Sequence, residues 1–259
     1  MTEHWYFDSH AHYSDPKFLQ DQETLLSSMA DHGIGRIMNI GCCEQSSRDS
    51  IALAEKYDFI YATVGSHPDS ADEVDDRLID EYRRMAAHPK VVGIGEIGLD
   101  YYYETVPRQV QQQAFVRQLE LAQELDLPVV VHQRDAVGDT MDIIRKFPKV
   151  RGVFHCFSGS VETAKELVRL GWHLGLTGVV TFKNARKAVE VAEWIPLDRL
   201  LIETDCPFMA PEPNRGRRCD STMVPLTAAK VAELRGLPVE AVAKATRENA
   251  MRLFSVPAP

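Results

Sequence analysis

The 259-residue chain is poor in cysteine: there are five, Cys42, Cys43, Cys156, Cys206 and Cys219, an odd number with no Cys-x-x-Cys pair. This argues against a disulfide scaffold and points to a reducing, cytoplasmic compartment. No apolar run approaches the roughly 20 residues that a spanning helix requires. Residues 1–5 show neither a basic n-region nor an apolar h-region, so no secretory signal and no membrane association are expected. No Pro/Gly/Ser linker or low-complexity tract divides the chain. Positive charge is not in excess either: 29 Lys and Arg face 38 Asp and Glu, for a formal net charge of -9. That balance disfavours tight nonspecific binding to nucleic acid, which draws on many phosphate contacts. It leaves room for a locally basic cleft, or for one whose charge is inverted by bound cations.

What is present is a repeating pattern of short apolar run, polar or Gly-containing stop, and amphipathic stretch. The apolar runs lie at 5–7, 36–40, 59–64, 91–94, 128–131, 152–154, 173–176 and 200–202. Between them run helical periodicities such as Phe115, Leu119, Ala122 and Leu125, or Val161, Ala164 and Leu167. Continuous apolar strands suit a parallel sheet buried on both faces. Eight strand–helix units predict an α/β protein of the (β/α)8 TIM-barrel type, one domain over 1–259, with a doubly wound open sheet as the alternative. The stretches 224–234 and 239–254 predict two closing helices around Gly236-Leu237-Pro238, a Gly stop and a Pro start.

The chemistry-bearing residues cluster at the strand ends, where a barrel places its active site. The first run ends Asp8-Ser9-His10-Ala11-His12, and at strand spacing His10 and His12 project to one side. Glu96 follows the fourth run, His132 the fifth, His155 the sixth and Asp205 the eighth; His67 follows the third. Singly, each reads equally well as a satisfied strand-end histidine or a helix-capping acid. Together, His10, His12, Glu96, His132, His155 and Asp205 make six metal-type ligands directed at one mouth. Four imidazoles and two carboxylates suit zinc, manganese or another first-row ion better than an all-oxygen cation. Six ligands exceed what one catalytic ion takes while keeping open positions, so two divalent ions are expected, zinc, manganese or magnesium, with Glu96 as the bridge.

The order of motifs resembles the TatD family of metal-dependent deoxyribonucleases, within the amidohydrolase superfamily. The resemblance rests on Phe-Asp-Ser-His-Ala-His at 7–12, Gly-Ser-His-Pro at 65–68, Gly-Glu-Ile-Gly-Leu-Asp-Tyr-Tyr at 95–102 and Val-His-Gln-Arg-Asp-Ala at 131–136. It continues through His-Cys-Phe-Ser-Gly at 155–159, Ile-Glu-Thr-Asp-Cys-Pro-Phe at 202–208 and Asn-Ala-x-x-Leu-Phe at 249–254. It implies that His10, His12, Glu96 and Asp205 hold one ion and Glu96, His132 and His155 the other. It departs from the family where an Arg-Gly-Lys-Arg-Asn-Glu-Pro stretch is common and this chain has Arg215-Gly216-Arg217-Arg218-Cys219-Asp220-Ser221. The basic part is kept and the Asn-Glu-Pro part is not.

The expected activity is two-metal hydrolysis of DNA phosphodiesters at a single strand or 3' end, with no obligate protein partner. Asp205 would orient the attacking water and take its proton. His67, Arg134 and Lys183 would meet the phosphate, while Arg215, Arg217 and Arg218 track the backbone. The alternatives are a hydrolase of small amides, lactones or phosphoesters on the same barrel, and a non-enzymatic scaffold, which would be expected to lose ligands. His4, His32, His88 and His173 are read as bystanders, Cys156 and Cys206 as packing residues facing away from the adjacent ligands, and Cys42-Cys43 as carrying at most a redox role. Tyr101, Tyr102 and Tyr103 either stack on a base or wall the cleft.

Overall fold

The computed structural model describes residues 5–103 and 105–259. His4 lies outside them. The eight expected strands are β1 (Tyr6–Ala11), β2 (Ile34–Ile40), β3 (Ile60–Val64), β4 (Val91–Asp100), β5 (Val129–Arg134), β6 (Gly152–Phe154), β7 (His173–Leu176) and β8 (Leu200–Ile202). Helices separate them: α1 (Gln22–Ser27), α2 (Glu44–Lys56), α3 (Asp76–Met85), α4 (Arg108–Leu125), α5 (Val137–Ile144), α6 (Val161–Arg169) and α7 (Arg186–Trp194). The closing helices are α8 (Val224–Arg235) and α9 (Val239–Phe254), with Gly236 at φ 61° ending the first and Pro238 capping the second.

The chain falls into two compact units, Met1–Asn39 with Cys156–Pro259, and Ile40–His155. In the first, β7 pairs with β8 and β1 with β2, all parallel. A parallel bridge joins Ala11 to Cys206, and the Asp205 N–H donates to the His10 carbonyl. This link between the first strand and the segment after the last distinguishes the barrel from the open sheet, and the strand order β1 to β8 agrees. In the second unit β3, β4, β5 and β6 pair in succession, again parallel. Every residue of β2 and β3 is buried, as a sheet covered on both faces requires.

The helices form where their caps and periodicity place them. Asp75 caps α3 by accepting the Leu78 N–H, and Leu78, Ile79, Tyr82 and Met85 form its buried stripe. Ser160 likewise caps α6, which buries Ala164 and Leu167. Helix α4 buries Phe115, Leu119 and Ala122, but it also buries two amides, Gln111 and Gln118. Gln118 accepts the Ser66 N–H at 2.7 Å and donates to the Ser66 carbonyl at 3.1 Å. Gln111 does the same for Asp100, accepting its N–H and donating to its carbonyl. Backbone groups at the ends of two strands are thereby satisfied by side chains where no further ladder partner exists.

Strand β4 runs well past its apolar run, because parallel pairing with β5 continues from Ile97↔Val131 through Asp100↔Arg134. Glu96 therefore stands inside a strand rather than at its end. Gly98, at φ +145°, faces His132 across this pairing, and a Cβ there would meet the His132 carbonyl oxygen at 2.0 Å. Only glycine lets the two strands approach at that point.

Replacing Gln118 with Ala should strand both Ser66 backbone groups in a buried site. The expected cost is about 1–3 kcal/mol for each unsatisfied group, read as a lowered urea midpoint with an unchanged slope.

Candidate metal centre

In the first unit, His10 is fully buried on β1 and His12 lies one residue past its end. Their Nε2 atoms are 3.0 Å apart, as the shared-face argument predicts. Asp205 completes the group, with Oδ1 3.3 Å from His12 Nε2 and 3.7 Å from His10 Nε2. Its φ of 58° turns the backbone out of the extended course of β8. Beneath it Asp8 is fully buried and accepts from the Thr204 and Ser221 hydroxyls, each at 2.6 Å, and from the Thr204 N–H. Burial pushes the Asp8 carboxyl up to about 6, against those hydrogen bonds.

In the second unit three donors converge. Glu96 Oε1 is 2.6 Å from His155 Nε2 and 2.9 Å from His132 Nδ1, and the two ring nitrogens are 3.2 Å apart. His67 joins the set, with Nε2 3.9 Å from Glu96 Oε1 and Nδ1 2.8 Å from Asp69. His67, Glu96 and His132 each offer a ligand atom within 4.8 Å of the others. The Cys42 thiol donates to Glu96 Oε2 at 3.6 Å. Two imidazole nitrogens and a carboxylate oxygen at such separations match the edges of a coordination shell with bonds of roughly 2.0–2.2 Å. The donor sets in both units therefore fit a divalent first-row ion.

Two residues of the centre escaped the sequence reading. Asp100 Oδ2 lies 3.1 Å from His132 Nε2, so His132 is held from behind while Nδ1 faces Glu96. A carboxylate on the far nitrogen is the usual support of a metal-binding histidine. Its signal was present in Gly-Leu-Asp, where β4 puts Glu96, Gly98 and Asp100 on one face. Burial opposes ionisation of Asp100, but His132 and the Tyr102 and Tyr103 N–H groups prevail and hold its carboxyl at about 2. Burial likewise opposes protonation of His132, yet Asp100 and Glu96 raise it to about 9. The second missed residue is Glu203, fully buried, which accepts the Cys156 N–H at 2.6 Å and the Ser9 hydroxyl at 3.2 Å. Burial drives its carboxyl well above the usual range. Gly175 makes room for it, since a Cβ there would meet Oε2 at 2.3 Å.

The remaining expectations divide. Cys206 is buried. Cys156 does not follow strand alternation: β6 ends at Phe154, Cys156 has φ 43°, and its N–H holds Glu203. Cys43 caps α2 through Ser46. His88, read as a bystander, sits 3.2 Å from Glu55. His32 is exposed and His173 is buried on β7. Of the basic residues, Arg134 packs over the Tyr102 and Tyr103 rings, Lys183, Arg215 and Arg217 are exposed, and Arg215 covers Phe182. Arg218 is occupied by a bidentate pair with Asp21 and a bond to the Lys17 carbonyl. No helix among the described residues is long and apolar enough to cross a membrane.

A family model described as TatD-related DNase matches residues 7–255. The chain belongs to the TatD family. It is 40% identical over 252 residues to the metal-dependent hydrolase YabD of Bacillus subtilis, covering 96% of this chain and 99% of that one. It is 34% identical over 262 residues to the 3'-5' ssDNA/RNA exonuclease TatD of Erwinia billingiae, covering 97% and 100%. Among solved structures it is similar to YJJV, a TatD homologue from Escherichia coli K12, with a TM-score of 0.91, 32% identity and coverage of 97% and 98%. These likenesses run the length of the chain.

Because metal ligation requires the neutral ring, an ion binding at His132 must displace a proton bound below about pH 9. Zinc affinity of the metal-stripped protein should rise about tenfold per pH unit up to that point and then level, measured by chelator competition. Asp100→Asn should lower the affinity reached above that pH by about 10–100-fold and move the levelling point to lower pH.

Proposed function

We propose that this TatD-family chain is a metal-dependent phosphodiesterase that shortens single-stranded DNA from its 3' end, its two units acting as one barrel domain. His10, His12, Glu96 and Asp205 would hold one divalent ion and Glu96, His132 and His155 a second, zinc, manganese or magnesium. The observation that carries this is the pair of imidazole–carboxylate sets, one in each unit, built on β4 and at or just past the ends of β1, β5, β6 and β8. The sheet order β1 to β8 supports the barrel type on which they stand. The exonuclease name of the Erwinia relative supports the substrate and the direction. Five cysteines without a disulfide support a reducing, cytoplasmic setting.

Ions held in these sets supply Lewis acidity, acidifying a water and offsetting charge on the phosphate oxygens. The chain's own residues do the rest. Asp205 orients the attacking water and takes its proton on a carboxylate oxygen. As the water oxygen bonds to phosphorus, the bond to the departing sugar oxygen breaks and that oxygen is protonated. His67, Arg134 and Lys183 bind the non-bridging oxygens, where charge grows in the transition state. Arg215 and Arg217 follow the backbone, and Arg218, through Asp21, fixes the loop that carries them.

A second reading keeps the centre and changes the substrate to a small phosphoester, lactone or amide. It is favoured by the net charge of -9 and by the engagement of Arg218. The deciding experiment strips the protein with chelator, restores magnesium, manganese or zinc, and follows a single-stranded oligonucleotide labelled at either end. Metal-restored loss of the 3' label first, absent in Asp205→Ala and Glu96→Ala, is the expected outcome. An oligonucleotide left intact while a small ester is turned over would replace the nuclease reading with the second one.

A further inference from the structure

Past the end of β4, three consecutive tyrosines are treated differently. Tyr101 is tied down: its hydroxyl donates to Asp139 at 2.7 Å and accepts from Gln112 at 2.8 Å. Tyr102 and Tyr103 are left 57% and 65% exposed, among the most exposed large hydrophobic side chains of the described residues. Their rings stand edge to face, 4.8 Å apart and 87° inclined. The turn beneath them is rigid, because Asp100 Oδ1 accepts both the Tyr102 and the Tyr103 N–H, at 2.8 and 3.2 Å. The other oxygen of that carboxylate is the one on His132. The pair is therefore separated from a ligand of the proposed metal centre by a single side chain.

Arg134 comes from the neighbouring strand, two residues past His132 and in register with Asp100. Its guanidinium lies 3.8 Å from the Tyr102 ring centre and 4.9 Å from that of Tyr103. No carboxylate of the described residues pairs with it, unlike Arg218. Two hydrogen-bonded, solvent-facing aromatic residues with a guanidinium held across their rings offer π-faces beside a positive charge. A ligand that complements both carries a flat ring and an anion a few bonds apart, which is the repeating unit of a polynucleotide.

We propose that Tyr102, Tyr103 and Arg134 form a stacking subsite for an unpaired nucleobase of the substrate strand, with Arg134 on the scissile phosphate beside that base. The proposal rests on the nuclease reading and sharpens it. A paired base has both faces covered by its neighbours and cannot lie on such a platform, so the subsite selects single strands. Stacking reads neither base identity nor the 2'-hydroxyl. The subsite therefore accepts DNA and RNA of any sequence and gives a small phosphoester nothing to stack.

The test uses the metal-reconstituted full chain, its Tyr102→Ala/Tyr103→Ala and Tyr102→Phe/Tyr103→Phe variants, and oligonucleotides with one abasic residue moved stepwise from the 3' end. The alanine variant should raise KM for the intact strand about tenfold or more, with kcat within about twofold. The phenylalanine variant should match the parent. One abasic position should cost the parent the same factor and cost the alanine variant nothing, because base and platform are then already apart. An unchanged KM in the alanine variant, or abasic penalties equal in both proteins at every position, would overturn the subsite while leaving the nuclease intact. A parent enzyme that neither binds nor cuts the intact strand would overturn the nuclease reading, and the subsite with it.

Discussion

Water solvates a carboxylate far better than a wall of Val, Ile and Leu does, so an acid within such a wall must be bonded, neutralised or both. The chain places Asp8, Glu96, Asp100 and Glu203 there, all nearly or fully buried. Each is answered locally. Asp8 takes two hydroxyls and a backbone N–H, Glu203 an N–H and a hydroxyl, Asp100 an imidazole and two N–H groups, and Glu96 two imidazoles and a thiol. The His132 ring, the turn at Tyr102 and Tyr103 and the backbone at Cys156 are each held by one of these acids. In each unit the candidate ligands thus stand among buried acids whose charge is met by local donors.

Much of this was legible beforehand. All eight strands coincide with apolar runs, since a parallel sheet buried on both faces writes itself as uninterrupted hydrophobic residues. The Gly-Leu-Pro break between the last helices marked their boundary because backbone conformation there is local. The His10 and His12 pair followed from strand alternation. The extension of β4 to Asp100 did not, because its polar half is held by pairing with β5, a partner distant in sequence. Cys156 misled for the related reason that alternation stops where the strand stops.

The supporting residues were the least visible. Asp100 and Glu203 look, in one dimension, like any acid near a turn. Their roles become apparent only when His132 Nε2 and the Cys156 N–H are seen to aim at them. Gly98 and Gly175 belong to the same class: each is a space left for something contributed by a different strand. Candidate ligands are singled out by chemical type and by their spacing along strands. Those that hold them are chosen by fit, which spacing does not encode.

Gln111 and Gln118 are seven residues apart, two turns of α4, and so lie on one face of that helix. One grips the backbone at the end of β4, the other the backbone just beyond β3. The helix thereby acts as a common bracket. The loop bearing His67 and the turn bearing the tyrosines cannot be raised or lowered separately, since both are pinned to the same bar. An insertion in α4 between the two glutamines would throw one of them to the wrong side and put that half of the mouth out of level, although it touches no residue that handles substrate.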